Sequence, residues 1–183
     1  GIPSVFIRRK FLEQDRYVDA VNQIFGAESM LPMYYVAAYC GGDAMGFEKL
    51  KDGQLVLYPE NGLIAHSNHI RHPHYAYQVD ALGGTLYRDR RILKHLQPKA
   101  GAVTMEDIKD AFKDHFGYPF SVCIHGDSRK TELNRISTLG CILMDVTDRR
   151  IWVCKGTPCC GEFKEYMWER PHKKSDWDQI EKW

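Results

Sequence analysis

The chain has 183 residues, of which 44% are hydrophobic and 27% charged, and these are the proportions of an ordinary globular domain. They exclude a disordered chain, and no apolar run approaches the ~20 residues that a membrane-spanning helix needs. The 25 basic and 24 acidic residues leave a net charge of +1, so neither a nucleic acid nor a membrane surface is expected as a partner. The length fits a single domain over residues 1–183.

The first third of the chain predicts a helix followed by a meander of strands. Apolar residues recur at helical spacing over residues 5–24, and Gly26 follows them. Short β-prone runs separated by glycine-containing turns then predict strands. These strands lie at residues 34–39, 46–50, 54–58 and 63–66.

The rest of the chain predicts two helices and a set of hairpins. Thr85 is the expected N-cap of a helix over residues 86–96, and Thr104 that of a helix over residues 105–116. Further strands are expected at residues 120–124, 136–146, 151–155 and 163–167. A meander, two helices and then hairpins form an α+β pattern rather than a βαβ alternation.

A polar cluster follows the apolar run that ends at Ala65. Residues 65–74 read Ala-His-Ser-Asn-His-Ile-Arg-His-Pro-His. The end of a rigid strand can hold a carboxamide or an imidazole in a fixed position. The histidines between His66 and His74 also leave a metal-binding module open, although Pro73 prevents the helical spacing that is typical of zinc motifs.

The segment His66-Ser67-Asn68-His69 is similar to the His-Thr-Asn-His signature of the penicillin acyltransferase-like family of N-terminal nucleophile hydrolases. Other segments resemble motifs of the same family, in the family's order and between residue 1 and about residue 168. They are Gly1-Ile2-Pro3-Ser4, Gly46-Phe47-Glu48, Thr85-Leu86-Tyr87-Arg88, Tyr118-Pro119-Phe120-Ser121-Val122-Cys123, Cys141-Ile142-Leu143-Met144-Asp145 and Gly156-Thr157-Pro158-Cys159.

The resemblance implies that this chain is the C-terminal part of an αββα sandwich with largely antiparallel sheets. It also implies a nucleophilic cysteine that becomes a new N-terminus after self-cleavage and that precedes the segment beginning at Gly1. The six cysteines of the chain all lie far inside it. We therefore expect an upstream subunit or segment to supply the nucleophile and to cover part of the sheet, and we expect this chain alone to be inactive. The other expected partner is a small-molecule amide or acyl donor.

The resemblance assigns site residues in two places. Asn68 is expected to donate to the oxyanion, because a carboxamide NH2 is a donor that carries no titrating charge. His66 is expected to support it through hydrogen bonds to backbone or water. The segment Gly126-Asp127-Ser128-Arg129 resembles a Gly-x-Ser-Arg segment of one fungal branch, which implies that Ser128 and Arg129 contact a substrate carboxylate. Arg135 competes for that role, and an ordinary solvated turn is the alternative.

Neither a metal nor a cofactor is predicted. Cys154, Cys159 and Cys160 lack a fourth ligand of obvious spacing, whereas Cys123 and Cys141 fit strand positions in a core. The six cysteines do not form the pattern of a small secreted framework, so a reducing, cytoplasmic compartment is expected.

The sequence therefore leaves two functions open. The first is a cysteine amidohydrolase or acyltransferase fragment, and the second is a non-catalytic or metal-binding α+β module that uses residues 66–74.

Overall fold

The computed structural model describes residues 1–51, 53–73 and 84–169 of the chain. It contains four α-helices, two short 3-10 helices and two three-stranded antiparallel sheets within those residues, which confirms the α+β class. The chain divides into two compact units, one of Gly1–Tyr58 with Trp168–Trp183 and one of Pro59–Met167. Among the described residues, none of the helices is both long enough and apolar enough to cross a membrane.

The first unit places two helices before a meander. Its elements are α1 (Ser4–Leu12), α2 (Tyr17–Phe25), β1 (Met33–Ala38), β2 (Ala44–Lys49) and β3 (Gln54–Leu57). The three strands pair in the order β1-β2-β3. The sheet and both helices share one core, whose buried members are Ile7, Ile24, Tyr35, Ala37 and Phe47.

The prediction of one helix over residues 5–24 is wrong, because the chain turns between Leu12 and Tyr17. Ile7 and Ile24 both lie in the core of the first unit. On one straight helix these two residues would be about 25 Å apart, at 1.5 Å per residue. The break, at the polar residues 13–16, lets both side chains reach the same small sheet.

The second unit contains the two helices and the hairpins. Its elements are α3 (Thr85–Leu96), α4 (Met105–Phe112), β4 (Gly140–Asp145), β5 (Arg150–Lys155) and β6 (Phe163–Met167). The strands pair in the order β4-β5-β6. One face of this sheet packs on α4 through a core of Cys141, Leu143, Cys154, Met105, Ile108 and Phe112.

The opposite face of this second sheet is apolar and exposed. The register pairs Ile142 with Val153 and Met144 with Ile151, and Ile151 with Tyr166. Ile142 and Met144 are each 60% exposed, and Tyr166 is 56% exposed. The alternation along β4 therefore buries one side of the strand against α4 and leaves apolar side chains on the other.

Two predicted strands of the second unit are not formed. Residues 63–66 continue as a loop after a single bridge between Glu60 and Leu63, so Asn68 lies in a loop and not at a strand tip. Residues 120–124 are also a loop. Backbone N–H groups in this loop do not pair with a neighbouring strand. The Cys123 N–H donates to the Asp114 carbonyl and the Ile124 N–H to the Thr138 hydroxyl, both at 3.0 Å.

The second unit also shortens two predicted elements. α4 ends at Phe112 rather than residue 116, and β4 begins at Gly140 rather than residue 136. Beyond α4, Asp114 accepts a hydrogen bond from the Phe116 N–H at 2.9 Å, which stabilises a turn instead of a further helical turn. Thr104 caps α4 as predicted, and with Asp107 it forms a capping box.

Candidate functional site

Asn68 is held at its backbone N–H and at its side-chain oxygen. Its N–H donates to Oγ1 of Thr85 at 2.7 Å, and its Oδ1 accepts from Nη2 of Arg88 at 2.6 Å. Among the described residues, the Asn68 NH2 group has no hydrogen-bond partner, and the residue is exposed. The carboxamide is therefore oriented by α3 with its donor end free.

Thr85 joins the Asn68 loop to the start of α3. The prediction that it is the N-cap is wrong, because Gly84 occupies that position and Thr85 is the first helical residue. Only 2% of Thr85 is exposed, and its Oγ1 donates to Oγ of Ser67 at 3.2 Å while it accepts from Asn68. Ser67 in turn donates to the Thr85 carbonyl. The buried Thr85 hydroxyl therefore does not cap α3. It makes two hydrogen bonds to the Asn68 loop instead.

The buried carboxylate of Asp89 closes the same loop on its other side. Asp89 is 4% exposed and pairs with Nη2 of Arg71. The same guanidinium donates to the Ala65 carbonyl at 2.9 Å, so it connects the two ends of the loop to α3. Nε2 of His69 lies 4.0 Å from Asp89. Burial of an acidic group is tolerated here because a cation pairs with it.

The histidines of this loop make local contacts. Nδ1 of His66 contacts the Ser67 carbonyl, whereas Nδ1 of His69 lies 3.1 Å from Oγ of Ser67. The two imidazole rings stack with centroids 6.0 Å apart. Within the described residues, no set of potential ligand atoms close enough to share one ion involves His66, His69 or His72, and His74 lies outside the described residues.

The hydrogen bonds of Arg129 are with Asp127 and not with the Asn68 loop. Both guanidinium donors of Arg129 that face Asp127 are engaged, Nε to Oδ1 at 2.9 Å and Nη2 to Oδ2 at 3.0 Å. This pairing lowers the pKa of Asp127 and raises that of Arg129. Ser128 is exposed, and Arg135 bonds the Lys130 carbonyl at 3.2 Å. The Arg129 fork would have to leave Asp127, at least in part, to clamp a substrate carboxylate.

A second cluster of side chains was not predicted from the sequence. His115, Cys123, His125 and Cys159 bring one ligand atom each to within 4.8 Å of one another. Nε2 of His125 lies 3.0 Å from Nε2 of His115, 3.5 Å from Sγ of Cys123 and 3.4 Å from Sγ of Cys159. The available signal was Cys123-x-His125, a short loop that carries both a thiol and an imidazole.

The thiols of this cluster differ in acidity. Burial raises the pKa of Cys123 to about 11. Burial also opposes ionisation of Cys159, but hydrogen bonds with Thr157, Cys160, Cys123 and His115 outweigh it and lower its pKa to about 6. A thiolate at Cys159 is therefore accessible at neutral pH, whereas burial raises the pKa values of Cys141 and Cys154.

Comparison with known proteins identifies one family. A family model described as acyl-coenzyme A:6-aminopenicillanic acid acyl-transferase matches residues 1–159. The match spans both compact units and includes the Asn68 loop as well as the His115–Cys159 cluster. No curated protein matches the chain.

Proposed function

The chain belongs to the acyl-coenzyme A:6-aminopenicillanic acid acyltransferase family, and from this we propose that it is the C-terminal part of a cysteine N-terminal nucleophile amidohydrolase or acyltransferase. The family has an N-terminal-nucleophile-hydrolase-like fold, and the α+β class with antiparallel sheets fits it. The proposed substrate is a small-molecule amide or acyl-thioester. We also propose that residues 1–183 form a single domain, which includes both compact units.

In the proposed reaction, the thiolate of an N-terminal cysteine attacks the substrate carbonyl with its own α-amine as the base. The carbonyl π electrons move to oxygen and form a tetrahedral oxyanion. When that intermediate collapses, the amine or thiol leaving group departs with a proton and an acyl-enzyme thioester remains. Water or an acceptor amine then attacks the thioester and regenerates the thiol.

The observation that carries the site assignment is the orientation of Asn68. Its Oδ1 is held by Arg88, so the NH2 group is the end available to a ligand. An oxyanion donor must be fixed before the charge develops, because otherwise the cost of orienting it falls in the reaction step. We assign Asn68 as an oxyanion donor and His66 as a neighbour that supports the loop.

The proposal places the nucleophile on an upstream subunit or segment. Three of the six cysteines, Cys123, Cys141 and Cys154, are buried with raised pKa values, which makes poor nucleophiles of them. The exposed apolar face around Ile142 and Met144 supports the presence of a covering layer. All six cysteines are free thiols, which supports a reducing, cytoplasmic compartment as part of the proposal.

Ser128 and Arg129 remain proposed contacts for a substrate carboxylate. Arg129 is largely exposed, with 78% of its side chain accessible. A carboxylate can therefore approach the guanidinium from solvent, in competition with Asp127. The metal-binding alternative at residues 66–74 has no comparable support, since His66 and His69 contact neighbouring oxygen atoms of Ser67.

Intact-mass analysis of the acyl-enzyme tests this proposal. The chain, with and without the polypeptide encoded upstream of Gly1, is incubated with an acyl-thioester and an N-acyl amide and then quenched with acid. We expect an acyl adduct on a cysteine outside residues 1–183, and no turnover by the 183-residue chain alone. An adduct on one of the six cysteines would contradict the location of the nucleophile. Turnover by the chain after alkylation of all six would overturn the cysteine mechanism.

A further inference from the structure

The cluster of His115, Cys123, His125 and Cys159 has the composition of a zinc site. Two imidazoles and two thiols are the ligands that structural zinc sites combine in tetrahedral geometry. Each of the four residues offers one ligand atom, and all four atoms lie within 4.8 Å of one another. All four residues belong to the second compact unit. The reaction proposed above uses none of them.

The three distances from Nε2 of His125 to the other ligand atoms are close to the edges of a tetrahedron around zinc. With Zn–N near 2.05 Å and Zn–S near 2.3 Å, the edges of such a tetrahedron are about 3.3–3.8 Å. From Nε2 of His125, the observed distances are 3.0 Å to His115, 3.5 Å to Cys123 and 3.4 Å to Cys159. The other three distances are within 4.8 Å, so side-chain movements of up to about 1 Å would bring the four atoms to these edges.

From this geometry we propose that His115, Cys123, His125 and Cys159 bind one zinc ion. The protein fills all four positions, which is typical of a structural site and not of a catalytic one. Binding displaces the two thiol protons to solvent, and the two thiolates then balance the charge of the ion. Soft thiolate ligands favour zinc over magnesium or calcium.

The fold presents these ligands from two parts of the second unit. His115 follows α4, and Cys123 and His125 lie in the loop that returns from it. This loop is anchored at Asp114, which accepts hydrogen bonds from Arg91 at 2.6 Å and from His95 at 2.7 Å. Cys159 lies in the turn between β5 and β6, where the Cys160 and Gly161 N–H groups both donate to the Thr157 carbonyl. The ion would join the α4 loop to the hairpin.

Two other readings of the cluster use fewer of its members. A disulfide between Cys123 and Cys159 would leave two histidines 3.0 Å apart without a shared function. A nucleophilic pair of Cys159 and His125 would leave Cys123 and His115 unexplained. Zinc binding is the reading that gives each of the four side chains the same role.

Metal content of the full 183-residue chain tests the proposal. The chain is produced with zinc in the medium, dialysed and measured by inductively coupled plasma mass spectrometry. About one zinc per chain is expected. The Cys123→Ser and His115→Gln variants should lose zinc to a chelator far more readily than the parent. The expected fall in affinity exceeds the ~10–100-fold that loss of an outer-shell partner costs. His115 is exposed, so this variant is expected to fold even if Cys123→Ser does not.

The matched control is Cys160→Ser. Cys160 is exposed and its Sγ lies 3.4 Å from that of Cys159, but it is not a member of the ligand set. This variant should keep its zinc. Cobalt substitution of the parent chain gives a second, independent readout, because tetrahedral thiolate ligation produces intense ligand-field bands and thiolate-to-cobalt charge transfer.

Three results would overturn the proposal. They are a chain that binds no zinc after purification, a His115→Gln variant that retains zinc as tightly as the parent, and a weak octahedral cobalt spectrum. A Cys123–Cys159 disulfide found by peptide mapping under non-reducing conditions would also contradict it. None of these results bears on acylation, so the zinc site and the proposed function succeed or fail separately.

Discussion

Arg88 donates from Nη2 to the side-chain oxygen of Asn68 at 2.6 Å, 20 residues along the chain. The contact fixes which end of the carboxamide faces outward. A guanidinium cannot accept a hydrogen bond, so it selects the oxygen of the amide and leaves the NH2 group for a ligand. The positive charge beside the amide also favours an anion nearby.

Replacement of Arg88 should weaken catalysis through Asn68. In the complete enzyme, Arg88→Ala should lower kcat by about 10-fold with little change in KM, because one charge-assisted hydrogen bond that orients the donor is lost. Arg88→Lys should recover part of this rate. The control is Arg90→Ala, an exposed arginine two residues further along α3. Equal losses in kcat for Arg88→Ala and Arg90→Ala would show that Arg88 has no specific effect on Asn68.

Removal of the Thr85 hydroxyl should destabilise the second unit. Thr85→Val keeps the volume but leaves the Asn68 N–H without its acceptor, which costs about 1–3 kcal/mol in the free energy of unfolding. Thr85→Ser keeps the hydroxyl and loses only a methyl group, so its loss should be smaller. Urea titrations of the two variants measure the difference. A Thr85→Val chain as stable as Thr85→Ser would refute the role of this hydrogen bond.

Gly46 in β2 lies against the phenol of Tyr34 in β1. A Cβ added at Gly46 would overlap the Tyr34 hydroxyl and ring, so Gly46→Ala should cost about 1–3 kcal/mol in stability. At Gly53, by contrast, a Cβ meets nothing within 4 Å, and Gly53→Ala should change stability by less than about 0.5 kcal/mol. Denaturant midpoints of the two variants test this. Similar midpoints would mean that the ring of Tyr34 can move aside.

The capping box of α4 should stabilise the folded chain at neutral pH and lose this effect in acid. Hydrogen bonds from Lys99 and Thr104 lower the pKa of Asp107 from 3.8 to about 2. A lowered pKa stabilises the folded chain above pH 3.8, and this contribution is lost as the pH falls to about 2. Asp107→Asn should therefore be less stable than the parent near neutral pH, with a gap that closes by about pH 2. A gap that stays constant from pH 5 to pH 2 would contradict the assignment.

Much of the fold follows from local sequence patterns. The predictions that were wrong depend on contacts between residues that are distant in the sequence. The last hairpin strand, Phe163–Met167, and the Thr104 cap of α4 were predicted correctly because short-range patterning and capping chemistry determine them. The break between α1 and α2 was missed because it depends on Ile7 and Ile24 reaching one core. The strand expected at residues 63–66 is a loop because its polar neighbours bond to α3 instead of a ladder.

The candidate site was only partly accessible to sequence reasoning. Asn68 could be singled out by its motif, but its partner Arg88 lies on a helix whose approach no local pattern predicts. The four members of the His115–Cys159 cluster span more than 40 positions of the sequence, and no paired motif joins them. A loop after one helix and a turn between two strands bring them together, which is a property of the tertiary fold.

The assignment of Asn68 as the oxyanion donor is tested most directly by Asn68→Ala in the complete enzyme. Steady-state kinetics on the preferred acyl donor should show kcat reduced by ~10²–10³, the usual loss for one oxyanion donor. Because the residue is exposed and its NH2 group has no partner among the described residues, the thermal midpoint should stay close to that of the parent. A variant that retains full kcat, or one that loses activity only because it unfolds, would contradict the account.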